Sequence, residues 1–249
     1  MQIQTENKQS TWKQLVEGLP STTEQVGEAI RHTLQTVGYL HLTWPMTIEN
    51  YEAIAGRVGT ILQKNDVRVN LARAQSQEKV RRIKGRGGIY SPDALGFHTD
   101  PIADLVSWYC VEQDDGGHPM MVLDLGDLEE HFLAEEREIL SRVELLSPTR
   151  KSETEQETLT PTPLLTKTSG KYKIYYARWL LRESQDAAVR KIAEKFAAYV
   201  KNKEETQVIV LPVKPGDTVF VDNHRMLHGR GELPQTSKRH LVRFYLRAA

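Results

Sequence analysis

Cys110 is the only cysteine in a chain of 249 residues, so no intrachain disulfide can form, and a reducing, cytoplasmic setting is expected. Long hydrophobic runs are missing as well. Nowhere do the ~20 apolar residues of a membrane span follow one another, and the polar start Met1–Lys8 carries no apolar stretch of the signal-peptide kind. Neither sign of charge is in excess, with Lys+Arg and Asp+Glu both at 33. No global field therefore draws the chain to nucleic acid or to an anionic membrane, and neither is expected as a partner. Internal repeats and low-complexity tracts are also lacking. What remains is an ordinary soluble composition, 39% hydrophobic and 27% charged, so function must be read from local patterns.

Residues 1–20 are polar, close on Gly18-Leu19-Pro20, and read as a flexible N-terminal arm; residues 21–249 read as one domain. Ser21 and Glu24 have capping-box spacing ahead of Val26, Ile30, Leu34 and Val37, a helical stripe that stops at Gly38. A short strand is expected over 39–43. A second amphipathic helix follows Thr47, with Ile48, Tyr51, Ile54 and Val58 facing inward. Between Lys64 and Gly88 the periodicity weakens. The basic run Lys79–Arg86 in that stretch reads as a solvated loop, since no aromatic residues interleave with its charges.

Residues 105–111 form a β segment in which Trp108 and Tyr109 should face opposite ways, with Cys110 a small buried residue. Asp114-Asp115-Gly116-Gly117 is a turn and 120–123 a returning strand. A helix is expected from Asp127, burying Leu128, Phe132 and Ile139. The segment 147–170, polar and broken by Pro148, Pro161, Pro163 and Gly170, reads as a long loop serving as a lid or insert. Strand is expected again over 173–179, then a helix from Ser184 with Val189, Ile192, Phe196 and Val200 on one stripe. Three strands close the chain, at 207–213, 217–221 and 240–247. Many short strands with Gly/Pro turns and a few helices imply a mainly β fold, a jelly-roll sandwich or barrel with helices on the outside.

His98 and Asp100 are two residues apart and share a side if their segment is extended. An imidazole and a carboxylate are two thirds of a facial triad for non-heme Fe(II), and His228 would complete it. Arg239 and Arg243, four apart on the last strand, project to one face. A buried guanidinium is expensive without an anion, and a carboxylate is its preferred partner. An inward arginine near three metal ligands thus points to a small carboxylate bound beside the metal.

Phe97-His98-Thr99-Asp100, the Gly116-Gly117 turn, Asp222–Arg230 and Arg239–Arg243 together resemble the signature of the Fe(II)/2-oxoglutarate-dependent dioxygenases. Within these the chain is most similar to the taurine dioxygenase/clavaminate synthase-like group that includes γ-butyrobetaine hydroxylase. The resemblance implies a double-stranded β-helix (jelly-roll) core and an Fe(II) site made by His98, Asp100 and His228. It also implies 2-oxoglutarate held through its remote carboxylate by Arg243, which follows His228 by 15 residues, with Arg239 as helper or second anchor. O2 is the other co-substrate, succinate and CO2 are the co-products, and hydroxylation, desaturation or cyclisation of a small amino-acid-like or natural-product substrate is the implied activity.

By location in similar enzymes, Asn70, Arg73, Tyr90 and Arg178 are substrate candidates. Halogenation is disfavoured, because related halogenases replace the carboxylate ligand with a small residue and this chain keeps Asp100. One departure is notable: kin carry a hydroxyl soon after the Gly-Gly turn, where this chain reads His118-Pro119-Met120-Met121. That departure keeps open a non-catalytic metal- and carboxylate-binding jelly roll. A nucleic-acid demethylase using the 79–86 run is a third reading. Homo-oligomerisation is left open by the sequence.

Overall fold

The computed structural model describes residues 23–71, 74, 88–149, 158–184 and 186–248. The arm 1–20, Arg73 and the basic run 79–86 lie outside them. Two antiparallel sheets form the frame. The larger runs in the order β1 (Tyr39–Leu42), β11 (Thr218–Asp222), β4 (Leu105–Glu112), β13 (His240–Ala248) and β2 (Gly59–Arg68). The smaller runs β10 (Ile209–Leu211), β5 (Met120–Asp124), β12 (Met226–Arg230) and β3 (Leu95–His98). This is the mainly β, jelly-roll arrangement expected from the strand and turn pattern.

The two-residue side-chain period sorts every strand into an inner and an outer face. On β4, Val106, Trp108 and Cys110 join Val219, Val221, Leu241 and Tyr245 in the core between the sheets, where they meet Met120, Val122 and Met226 from the smaller sheet. The outer face of the larger sheet carries Leu105, Phe220, Phe244 and Leu246 and is covered by α1 (Thr23–Val37) and α2 (Ile48–Val58). Tyr51 of α2 stacks on Tyr109 and Phe244, and its phenol bonds the buried Ser107 hydroxyl at 2.7 Å. Trp108 and Tyr109 therefore do face opposite ways. Thr47 caps α2 by accepting from the Asn50 N–H. Gly38, at φ +89°, ends α1 in the left-handed conformation that glycine adopts without penalty.

The outer face of the smaller sheet is buried under α5 (Ala187–Thr206) and its neighbours. Val189, Ile192, Phe196 and Val200, the stripe legible in the sequence, pack there with Leu123 and Leu227. The cap of α5 is Asp186 rather than Ser184, its carboxylate accepting from the N–H groups of Ala188 and Val189.

Four expectations need correction. The weak-pattern stretch begins with a ten-residue edge strand, β2, paired with β13 along its length; its Lys64 reaches Glu52 of α2 at 3.1 Å. The helix from Asp127 is two short ones, α3 (Leu128–His131) and α4 (Ala134–Leu140), broken at Phe132. There Asp127 gives no cap bond and instead engages Tyr199 and Lys203 of α5. The described part of 147–170 is β-structure: β6 (Glu144–Thr149) pairs with β7 (Thr158–Pro163), and β8 (Leu165–Thr168) with β9 (Lys171–Ile174). Two-stranded ribbons are all edge, which is why they accommodate Pro161 and Pro163. Finally, the strand expected over 173–179 stops at Ile174, and Arg178–Leu180 is a 3-10 turn.

Candidate active site

His98 is the last residue of β3, and His228 lies in the middle of β12. The two are direct partners in the β12–β3 ladder, with ring centroids 4.4 Å apart. The ladder slips beside them, Arg230 pairing with Leu95, so Gly96 is an extra residue and β3 carries the kind of bulge that re-aims side chains beside active sites. Close approach at the slip depends on Gly229. A Cβ there would stand 2.7 Å from the Leu95 carbonyl oxygen and 3.3 Å from Phe97 N.

Asp100 is placed differently from the sequence expectation. It sits beyond the end of β3, so strand alternation does not put it beside His98. Its position is set by Asn223, 1% exposed, whose side-chain oxygen accepts from Asp100 N at 2.9 Å. The Asn223 amide donates to the carbonyls of Asp100 and Ala103, both at 2.7 Å. Thr99 pins the same turn to Tyr176 through two further bonds. The rest of the 222–230 string has equally local tasks: Arg225 clamps Asp124 with two bonds, and His224 meets Asp104.

The result is three buried side chains that could act as ligands, His98, Asp100 and His228, whose donor atoms all lie within 4.8 Å of one another. The residues fit a divalent cation. The Nδ1–H of His98 donates to the Gly96 carbonyl at 2.8 Å, which leaves Nε2 with its lone pair toward the site. Among the described residues neither ring nitrogen of buried His228 has a hydrogen-bond partner, and its Nε2 is 3.3 Å from Asp100 Oδ2. Burial, and then the neighbouring His228, pull the His98 pKa down to about 3, so its imidazole is neutral. Burial alone would raise the Asp100 pKa, but Arg243 and the two histidines hold it well below the usual carboxylate range. Two imidazoles and one carboxylate are the facial donor set of non-heme Fe(II).

His98 and His228 line a cavity together with Trp108, Met120, Arg239, Leu241 and Arg243, whereas Asp100 lines a second pocket with Asp104, Asn223 and His224. The two arginines do share a face, though β13 begins one residue after Arg239. They differ in company. Arg243 Nη1 is 3.3 Å from Asp100 Oδ2, and its guanidinium lies over the Tyr245 ring. The buried guanidinium of Arg239 forms no ion pair among the described residues, Asp114 acting on it only through its charge, and its Nε, like that of Arg243, has no hydrogen-bond partner among them; burial, with Arg230 nearby, pushes its pKa down to about 10. A third cavity arginine, Arg230, is saturated by the carbonyls of Ser91, Asp93 and Gly231 and ties down the 91–93 loop.

Among the described residues lining the cavity none carries a hydroxyl: Met120 forms the wall after the Gly-Gly turn, and His118 pairs with Asp114 at 3.4 Å. Asn70 and Tyr90 are tied by a backbone bond of 2.9 Å, with Tyr90 in the field of Arg243. Arg178 is exposed, and its charge acts on Glu204 of α5. Sequence reasoning missed three residues. Trp179 packs 5.4 Å from the His98 ring, Tyr245 bonds Asp100 Oδ1 at 2.9 Å, and Asn65 sits opposite Arg243 with a buried Nδ2 lacking a partner. Even spacing from Arg243 could have found Tyr245; Asn65 was hidden in the unrecognised β2.

Solved structures share the fold at low sequence identity. Non-heme iron oxygenase OrfP in complex with Fe and alpha-ketoglutaric acid matches with a TM-score of 0.66 at 16% identity, over 94% of this chain and 85% of that one. Asparagine oxygenase in complex with Fe(II), 2S,3S-3-hydroxyasparagine and succinate matches at 0.63 and 15%, over 91% and 79%. OrfP with Fe, succinate and (3S)-hydroxy-L-Arg matches at 0.64 and 15%, over 94% and 85%. No curated protein sequence matches significantly. Among the described residues no helix is long and apolar enough to cross a membrane. Residues 13–245 match the family described as taurine catabolism dioxygenase TauD, TfdA family, and with a match over nearly its whole length the chain belongs to that family of Fe(II)- and 2-oxoglutarate-dependent dioxygenases.

Proposed function

We propose that His98, Asp100 and His228 hold Fe(II), that Arg239 and Arg243 hold 2-oxoglutarate, and that the chain oxidises an unactivated C–H bond of a small amino-acid-like substrate. One observation carries this reading: Arg239, which forms no ion pair among the described residues, lines the same cavity as His98 and His228, and these two form with Asp100 a buried group whose donor atoms lie within 4.8 Å of one another. When bound, Fe(II) supplies the coupling of O2 reduction to oxidative decarboxylation of 2-oxoglutarate, giving succinate and CO2.

The protein's residues do the positioning. Arg243 already touches Asp100, so it serves the metal end of the cavity, and Arg239 is the better partner for the remote carboxylate of 2-oxoglutarate. This reverses the roles implied by the family resemblance. Trp108 and Leu241 wall the cavity with apolar surface that excludes water and strengthens each charged contact. Asp100, unlike a small residue, would supply a carboxylate to the metal at the position a halide would otherwise need.

Substrate recognition is assigned to the side near β2. The partnerless Asn65 Nδ2, beside Arg243 in the ladder, supports a polar or anionic substrate group there, with Asn70 and Tyr90 close by. Two of the similar structures contain hydroxylated amino acids, which makes amino acids the first class to test. The surroundings of Arg178 favour a surface role. The test is a mass-spectrometric screen of amino acids and betaines with the Fe(II)-loaded protein. Succinate release coupled to a product one oxygen heavier, or two hydrogens lighter, is expected for at least one compound. Tight 2-oxoglutarate binding with no succinate from any compound would overturn the reading in favour of a carboxylate-binding protein.

A further inference from the structure

We propose that Tyr245 is a positioning residue that confines Asp100 to metal binding through Oδ2 alone and so keeps a coordination position free for the co-substrates. The inference rests on the Fe(II) reading above and names a residue which that reading does not require. Arg243 and Tyr245 are two apart on β13 and share its inner face. The two oxygens of Asp100 are treated differently. Oδ2 faces His228 Nε2 at 3.3 Å and Arg243 Nη1 at 3.3 Å. Oδ1 accepts the Tyr245 phenol at 2.9 Å. The Tyr245 ring is held in turn, with the Arg243 guanidinium carbon 4.4 Å from its centroid.

The consequence follows from how carboxylates bind cations. A free carboxylate turns to chelate a divalent ion through both oxygens and takes two positions instead of one. Two histidines, a chelating carboxylate and a bidentate 2-oxoglutarate would fill an octahedral ion and leave nothing for O2. With Oδ1 committed to Tyr245, chelation requires breaking a buried hydrogen bond and stranding the phenol, which the dry surroundings make costly. Tyr245 thereby sets the number of open positions without touching the metal.

The test uses Tyr245→Phe, which keeps the ring and removes the donor. Nitric oxide serves as a stable stand-in for O2, and its complex with the Fe(II)- and 2-oxoglutarate-loaded protein is read by electron paramagnetic resonance. The expected result is a split: Fe(II) affinity held or tightened, and nitric oxide affinity lowered by about tenfold or more, the size of effect typical of residues that orient metal ligands. Equal nitric oxide affinity in variant and wild type overturns the proposal, as does a loss of Fe(II) affinity in parallel with nitric oxide affinity, which a merely structural tyrosine would give. If the wild type binds neither Fe(II) nor nitric oxide, the Fe(II) reading falls and this inference with it. Should Tyr245→Phe not fold, a crystal structure of the wild type with Mn(II) decides. Asp100 bound through Oδ2 with Oδ1 on Tyr245 supports the proposal; a chelating Asp100, or one bound through Oδ1, overturns it.

Discussion

His98 and His228 oppose each other in the β3–β12 ladder, next to a one-residue slip that only a glycine at 229 accommodates. The spacing of the two histidines proposed as metal ligands is thus a property of backbone pairing. Gly229→Ala should push β12 off the Leu95 carbonyl, costing about 1–3 kcal/mol as overpacked sites do. It should also weaken metal binding by roughly tenfold or more. Denaturant unfolding and a Mn(II) titration of the variant check both; unchanged metal affinity would separate the histidine pair from the slip.

Arg239 and Arg243 should separate under mutation. Arg239→Ala is expected to weaken 2-oxoglutarate binding by about 2–4 kcal/mol while leaving Fe(II) affinity near wild type. Arg243→Ala should reduce Fe(II) affinity as well, because it strips Asp100 of a neighbouring cation. Calorimetric titration of each ligand into each variant gives the four numbers required. The reverse pattern would restore Arg243 as the sole anchor.

Asn223 makes three hydrogen bonds to the turn that carries Asp100. Asn223→Ala leaves an N–H and two carbonyls buried without partners, at a cost of about 3 kcal/mol or more. Loss of metal binding should exceed the loss of 2-oxoglutarate binding measured at saturating metal. Asn223→Asp, which keeps the acceptor and replaces the donor, should not rescue.

The sequence made the frame legible wherever a face is both buried and periodic. The α5 stripe of Val189, Ile192, Phe196 and Val200 and the inward alternation of Val106, Trp108 and Cys110 are of this kind. The edge strand β2 escaped notice because an edge has only one partner and its outward residues answer to solvent. The 147–170 hairpins escaped because prolines and polar residues suit two-stranded ribbons as well as loops. At the site, residue types and spacing pointed to the three candidate ligands, but for Asp100 the reason was wrong: a network through Asn223 and Thr99, 123 residues distant in one case, places it. Partners so far apart in sequence leave no periodic trace. The unpaired state of Arg239, which shifts the proposed anchor from Arg243, is likewise visible only once the cavity is assembled.

Cys110 is fully buried, and burial pushes its thiol up to about 11 from the ordinary 9.0. The native protein should therefore resist thiol reagents at pH 8 and react fully once unfolded, because the thiolate is the nucleophile. Between pH 9 and 11 the folded chain holds a proton that the unfolded chain has lost. Stability should accordingly fall as pH rises through that window. Thermal melts across the range, compared with Cys110→Ala, test the sign; a Cys110→Ala variant losing stability just as the wild type does would assign the effect elsewhere.

The central claim is that His98, Asp100 and His228 bind Fe(II) in a way that lets 2-oxoglutarate chelate it. Anaerobic addition of Fe(II) and then 2-oxoglutarate to the purified protein, followed by visible absorption, tests it most directly. The account predicts a weak charge-transfer band that needs both additions and disappears in His98→Ala and in His228→Ala. Absence of the band in the wild type, or its survival in His98→Ala, would contradict it.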